Sequence, residues 1–239
     1  MQLTGKHVVI VGGSSGIGLE TAILASKAGA EVTILARRAD QLKTAAEKIG
    51  GNVRAESLDM MDEEAVATVF GKIGAIDHLV ITASTAVHGK FEDVALDKVE
   101  SLFKSKYLGP YRLARAALPK VREGGSFTFF SGALSRRPSL NAAALSSVNA
   151  AVEALTRALA KELAGRVRVN CVSPGMTRTP AYVDIPPVAL KTMYENAAKT
   201  LPVGRVAEPQ EIAQGVILLM TNGFMTGVIL DIDGGRSVS

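Results

Sequence analysis

Apolar and polar positions along this chain alternate between two textures. Short runs that are almost continuously apolar or β-branched recur: "HVVIV" (His7–Val11), "EVTIL" (Glu31–Leu35), "HLVI" (His78–Ile81), "SFTFF" (Ser126–Phe130), "RVRVNCV" (Arg166–Val172) and "VILDI" (Val228–Ile232), with a weaker "NVRAES" (Asn52–Ser57). Each is short enough for a strand, and apolar continuity is what a strand covered on both faces requires. Between them the spacing turns helical, over Ile17–Ala28, Ala39–Ile49, Asp62–Lys72, Tyr111–Val121, Ala142–Leu163 and Pro209–Met220. Pro209 suits the first turn of its helix, where a missing N–H costs little. Alternating strand and helix predicts an α/β fold, a doubly wound parallel sheet with helices on both faces.

No repeat, low-complexity tract or linker interrupts the pattern, so one domain over residues 1–239 is expected. The longest stretch read as irregular runs from Pro174 to about Ala207 and contains Pro180, Pro186, Pro187 and Pro202. It follows the C-terminal end of a strand, the edge where such sheets bind ligands, so a lid over about 176–207 is expected.

Composition narrows the class. An apolar share of 47% is ample for a core without staples. One cysteine, Cys171, excludes an intramolecular disulfide and fits a reducing, cytoplasmic setting. The start, "MQLTGKHVVIVGG", lacks a signal-peptide pattern, and no apolar run is long enough to span a bilayer. The net charge of +4 is spread out, its only dense pairs being Arg37-Arg38 and Arg136-Arg137. With no Trp and few aromatics, neither nucleic acid nor membrane is an expected partner.

"VVIVGGSSGIGLETA" places Gly12, Gly16 and Gly18 after the first strand and at the opening of a helix. Glycine permits the tight turn and lets backbone approach a pyrophosphate, while the helix start offers unpaired N–H groups. Ser14 and Ser15 add hydroxyls. In this strand–turn–helix context the spacing reads as a dinucleotide site of the Rossmann kind. The second strand ends in Ala36, Arg37 and Arg38, where an acidic residue would bind a ribose 2′-hydroxyl. Guanidinium groups bind phosphate instead, so NADP(H) is expected over NAD(H), with Arg37 ahead of Arg38. Asp59, in "ESLDMMDEEA", either accepts from the adenine amino group or caps the following helix.

These motifs resemble the classical short-chain dehydrogenase/reductase family over essentially the whole chain. "LTGKHVVIVGGSSGIG" matches the family's opening with Val11 where Thr is usual, and "LDM" its adenine-contacting segment. "VRVNCVSPGMTRTP" matches the strand and turn past the nicotinamide, and "GRVAEPQEIAQGVILLM" and "TGVILDIDGG" the last helix and strand. The resemblance implies a homotetramer, a small-molecule substrate, and cofactor contacts from Gly12, Ser14, Ser15, Gly16, Ile17, Gly18, Arg37, Arg38, Asp59, Met60, Ala83, Pro174, Gly175, Thr177 and Thr179.

The family's catalytic pattern is an Asn, a Ser, and a Tyr with a Lys four residues on. Ungapped alignment on Pro138 and "AAVEALTRALAKEL" puts Leu145 in the Tyr slot, Asn149 in the Lys slot and Gly132 in the Ser slot; "YLGPYRLARAALP" puts Lys106 in the Asn slot. The family's "NNAG" is here "ITAS", Ile81–Ser84. Leucine has no titratable proton and glycine no side chain, so the family's proton transfer cannot run from these positions. Losing a positioned acid typically costs ~10²–10⁴ in rate. Lys106 and Asn149 look exchanged, and a contact between them is expected to restore one cation and one amide.

Substitute groups are Lys106, acting directly if burial lowers its pKa, Asn149, Ser131 at the strand end, and His88 in the loop after the fourth strand. Ser131 is next to the Ser slot, so its side chain is expected on the opposite strand face. Ser135, Ser146, Tyr182 and Tyr194 are weaker choices. His7 and His78 flank strands at the far edge and read as structural, and Cys171 as a core residue. No cluster has metal-ligand spacing. Two functional readings follow: an NADPH-dependent reductase of an apolar carbonyl, quinone or iminium by a non-tyrosine proton route, or a catalytically silent NADP(H)-binding sensor or partner subunit. A relic that binds nothing fits less well with the intact glycine turn.

Overall fold

In a computed structural model, residues 2–83, 85–183 and 185–239 are described. Seven strands form one sheet: β1 (His7–Val11), β2 (Glu31–Ala36), β3 (Val53–Ser57), β4 (Ile76–Ile81), β5 (Val121–Phe130), β6 (Val167–Pro174) and β7 (Ile229–Ile232). Their order is β3-β2-β1-β4-β5-β6-β7, and every pair is parallel. The order reverses between β1 and β4, which opens a crevice at the C-terminal strand ends.

Period-two alternation divides the core into two layers. Val9, Val11, Leu79, Ile81, Phe127 and Phe129 face one way, against α3 (Glu63–Lys72), α5 (Gly109–Ala117) and α6 (Ala143–Glu162). Val8, Ile10, Val32, Ile34, Val80 and Phe130 face the other way, against α1 (Gly16–Lys27), α2 (Ala39–Ile49) and α8 (Pro209–Thr221). The expected sheet and helices are thus present, with ends shifted by a few residues.

Three expectations are corrected. The fourth helical stretch, expected over Tyr111–Val121, ends at Ala117, because Val121 already pairs with Ile76 in the sheet. A helix α4 (Leu96–Phe103) precedes it, joined by a π-helical turn at Lys104–Leu108. The region read as irregular holds α7 (Pro187–Thr200), because Pro187 occupies the first helical turn and starts the helix instead of breaking one. Tyr194 of α7 packs with Leu201 and Val206, giving this segment a small core of its own. Among the described residues, no helix is long and apolar enough to cross a membrane.

Candidate functional site

A cleft of about 490 Å³ runs along the C-terminal strand ends. All fifteen residues expected at the nucleotide line it: Gly12, Ser14, Ser15, Gly16, Ile17 and Gly18 after β1; Arg37 and Arg38 after β2; Asp59 and Met60 after β3; Ala83 after β4; Pro174, Gly175, Thr177 and Thr179 after β6. Ser84, the last residue of the "ITAS" segment, lies outside the described residues.

The glycine turn is built for close approach. A Cβ on Gly18 would stand 2.2 Å from the carbonyl oxygen of Gly12 and 2.6 Å from Thr82 Oγ1. Gly16 has φ of 53°, a conformation side chains disfavour. Thr82, missed from sequence, underpins the turn by donating its hydroxyl to Val11 O at 3.1 Å. Helix α1 starts at Ser15 with no side-chain cap on its first N–H groups. An anionic phosphate suits those N–H groups and the positive end of the helix dipole. Arg37 and Arg38 are exposed at the outer end, with no side-chain hydrogen bond or ion pair among the described residues. These features fit the phosphates of a dinucleotide.

Elsewhere the wall is held by local contacts. Asp59 accepts from the Met61 amide at 2.9 Å, making a short turn. The helix cap weighed for Asp59 belongs instead to Asp62, whose side chain accepts from Ala65 N at 3.0 Å. Capping requires the residue just before the first turn, and Asp59 lies three residues too early. Arg112 of α5 donates to Met60 O at 2.9 Å, and Gly109 lets α5 approach Met60 closely. Gly175 touches the Asp233 backbone so closely that a Cβ would clash at 2.7 Å.

The inner end differs from expectation in its details. Lys106 lines the cleft from the π-helical turn, yet it is only 7% exposed. Its Nζ donates to Ser131 O at 3.2 Å. Burial lowers the ammonium pKa to about 8. Ser131 lines the cleft, but its hydroxyl donates to Glu153 Oε1 at 3.0 Å under α6; a Cβ on Gly132 would also meet α6, at Asn149, so the two are not on opposite faces, because β5 has ended at Phe130. Asn149 is buried behind the wall and is not part of the cleft lining. Its amide makes a long contact of 3.5 Å to Gly132 O, and its Oδ1 has no partner. No hydrogen bond joins Lys106 and Asn149; each reaches one of two consecutive carbonyls at the end of β5.

Two expected placements fail. His88 is exposed and lies off the cleft lining, because its loop continues outward to Gly89, whose N–H binds Asn141 O at 2.8 Å. Leu145 is not a cleft residue either: it packs with Leu102 and Val148 in an apolar cluster beneath α4. An apolar side chain gains more from that burial than from a polar, open wall.

Glu153 is a buried hub that sequence reading missed. It accepts from Ser131, from Ser135 at 2.6 Å and from Arg136 at 2.8 Å. Arg136 goes on to Ser173 and Asp231. A Glu in a helix reads as solvated, and only its place four residues after Asn149, on the same helix face, hinted at burial. Tyr182 lines the cleft and meets Tyr194 edge-on at 6.0 Å, while Arg178 stacks over Tyr194. The remaining histidines are structural: His7 bonds Thr33 and Ala75, and His78 bonds Ser126 with its pKa lowered to about 4 by burial. Cys171 is fully buried, and its thiol is pushed up to about 11 by burial. No group of described residues could hold a metal ion.

Comparison with known proteins places this architecture. Residues 11–237 match the family described as enoyl-(acyl carrier protein) reductase. A 3-oxoacyl-[acyl-carrier-protein] reductase of Mus musculus is 30% identical, the match covering 98% of this chain and 99% of that protein. The short-chain dehydrogenase/reductase ATR9 of Stachybotrys chlorohalonatus is also 30% identical, over 98% of this chain and 97% of its own. A crystal structure of a small-chain dehydrogenase in complex with NADPH superposes with a TM-score of 0.86 at 35% identity, over 98% of this chain and 99% of that one. By sequence profile, by relatives matched over almost their full length and by fold, the chain belongs to the short-chain dehydrogenase/reductase family.

Proposed function

We propose that the chain is an NADP(H)-dependent oxidoreductase that passes hydride to an apolar carbonyl or quinone, with Lys106 rather than a tyrosine as the proton-bearing group, or to an iminium, which takes up no proton. The observation that carries this reading is the position of Lys106: a buried amine on the wall of the same cleft that the glycine turn and Arg37 open into. Among the residues lining the inner half, only Lys106 and Tyr182 carry a titratable proton.

When bound, the dinucleotide supplies the hydride. The chain supplies the rest. The α1 N–H groups, Ser14 and Ser15 take the pyrophosphate, Arg37 and Arg38 the 2′-phosphate, Asp59 the adenine amino group, and Thr177 and Thr179 flank the nicotinamide end. Lys106 gives a proton from Nζ to the developing oxyanion and regains it from solvent. At neutral pH, with a pKa of about 8, it is mostly protonated and so charged for that task. The Ser131 carbonyl holds the amine in place. A single domain, a cytoplasmic homotetramer and the small residues of α6 at a subunit contact belong to the same reading.

The test is NADPH oxidation by purified protein against aldehydes, ketones, quinones and cyclic iminium ions, with NADPH binding followed by fluorescence in the same samples. Turnover that Lys106→Met abolishes supports the reading. Binding without turnover on any acceptor favours the sensor or partner subunit. That second reading draws on Leu145, which leaves α6 without a proton donor at the cleft.

A further inference from the structure

We infer that Lys106 is the receptor for a 2-oxo acid, pairing with the substrate carboxylate and the neighbouring keto oxygen together. The inference rests on the proposed hydride transfer, and takes its acceptor to be an anionic carbonyl compound in place of an apolar one.

Burial strips an ammonium of hydration, and an anion bound beside it would offset that cost. Lys106 has neither a carboxylate neighbour nor an ion pair among the described residues, and its one acceptor is the neutral Ser131 carbonyl. The titratable groups packed around it give no counter-charge. Burial keeps the Cys171 thiol protonated, and Glu153 is committed to Ser131, Ser135 and Arg136. The one carboxylate on the cleft wall, Asp59, follows β3, whereas Lys106 docks on the end of β5. Those strands are four places apart, roughly 19 Å at the usual strand spacing. The inner cleft is therefore a one-sided positive site.

The geometry of the donor fixes the class further. An ammonium has three N–H bonds, and one is spent on Ser131. Two remain uncommitted among the described residues. A 2-oxo acid presents two oxygens on adjacent carbons, so one ammonium can hold both. A cationic iminium would meet like charge here and is the least favoured acceptor of the three. In the step itself, hydride adds to the keto carbon, the C=O π pair moves to oxygen, and that oxygen takes a proton from Lys106 Nζ. The product is a 2-hydroxy acid, and the nicotinamide is oxidised.

Binding measures this without turnover. Benzoylformate and its methyl ester differ in charge but little in size. Calorimetric titration of each into protein saturated with NADP⁺ should show the acid binding about ten- to hundredfold more tightly, the usual worth of a charge-assisted hydrogen bond. Lys106→Gln, its folding checked by thermal melting and NADPH fluorescence, should erase that preference. Equal affinity for acid and ester in the native protein overturns the inference, as does a preference that survives Lys106→Gln, or binding of neither ligand to protein that holds NADP⁺. Failure to hold the nucleotide at all would instead strike the underlying reading.

Discussion

The two ends of one cleft are built by different means. At the outer end the backbone does the work: Gly12, Gly16 and Gly18 allow a turn that no side chain would fit, and the uncapped start of α1 points its N–H groups at whatever enters. At the inner end the side chains do it: Lys106 depends on Ser131, Ser131 on Glu153, and Glu153 on Arg136. A backbone site is specified by a few residues close in sequence. A side-chain site is a network whose members come from four separate elements. The first should tolerate change at the second, and that separation can be tested.

The largest expected effect is at Lys106. Lys106→Met should lower reductase turnover ~10²–10⁴-fold, the usual worth of a positioned proton donor, while the NADPH dissociation constant moves less than about twofold. Stopped-flow oxidation and fluorescence titration on one preparation decide it. A parallel loss of nucleotide binding would break the separation between the ends. The pH profile sharpens it: the active form is the ammonium, so the rate should be flat below about 8 and fall tenfold per pH unit above it. A profile still rising through pH 9 would remove Lys106 as the acid.

Next comes Arg37. A charge-assisted hydrogen bond is worth about 1.5–3 kcal/mol, so Arg37→Glu should cut the NADPH-to-NADH affinity ratio by at least about tenfold. An unchanged ratio would mean that Arg37 is only a solvated charge. Turnover with saturating NADH should not fall, because the inner network is untouched.

A smaller effect is expected from Glu153→Ala, on stability first and, through Ser131, on turnover, but not on nucleotide binding. It strands the Ser131 hydroxyl and one arm of Arg136, although Arg136 keeps Ser173 and Asp231 and the Ser135 hydroxyl keeps the Gly132 carbonyl. Leaving buried polar groups unpaired costs about 1–3 kcal/mol each, which for a chain of this size lowers the melting temperature by several degrees. Nucleotide binding should stay within twofold if the two ends are separable.

What could be read in the sequence follows the same divide. The strands were legible because burial on both faces leaves continuous apolar runs such as "HVVIV". The glycine turn was legible because its constraint is local. Helix α7 was not, because Pro186-Pro187 looks like a break until one knows that Pro187 opens the helix. Neither was Glu153, whose burial depends on Arg136 and the end of β5. Leu145 was legible as a residue and misleading as a position. It fills the tyrosine slot, but the side chain turns into the cluster with Leu102 and Val148, and a polar lysine from the π-helical turn lines the cleft instead.

The smallest effect should come from His88, the one sequence-level candidate whose side chain the fold leaves outside both ends. It is exposed, off the cleft lining, and has no hydrogen bond among the described residues. Surface substitutions of this kind usually stay within about 0.5 kcal/mol in stability. His88→Ala should therefore leave turnover, NADPH affinity and melting temperature within error. Its value lies in the contrast with Lys106: both residues can carry a proton, and only the buried one is held by the fold. If His88→Ala lowered turnover tenfold with nucleotide binding intact, the loop after β4 would have to fold over the inner cleft during reaction, and the proton would then have a route that does not pass through Lys106.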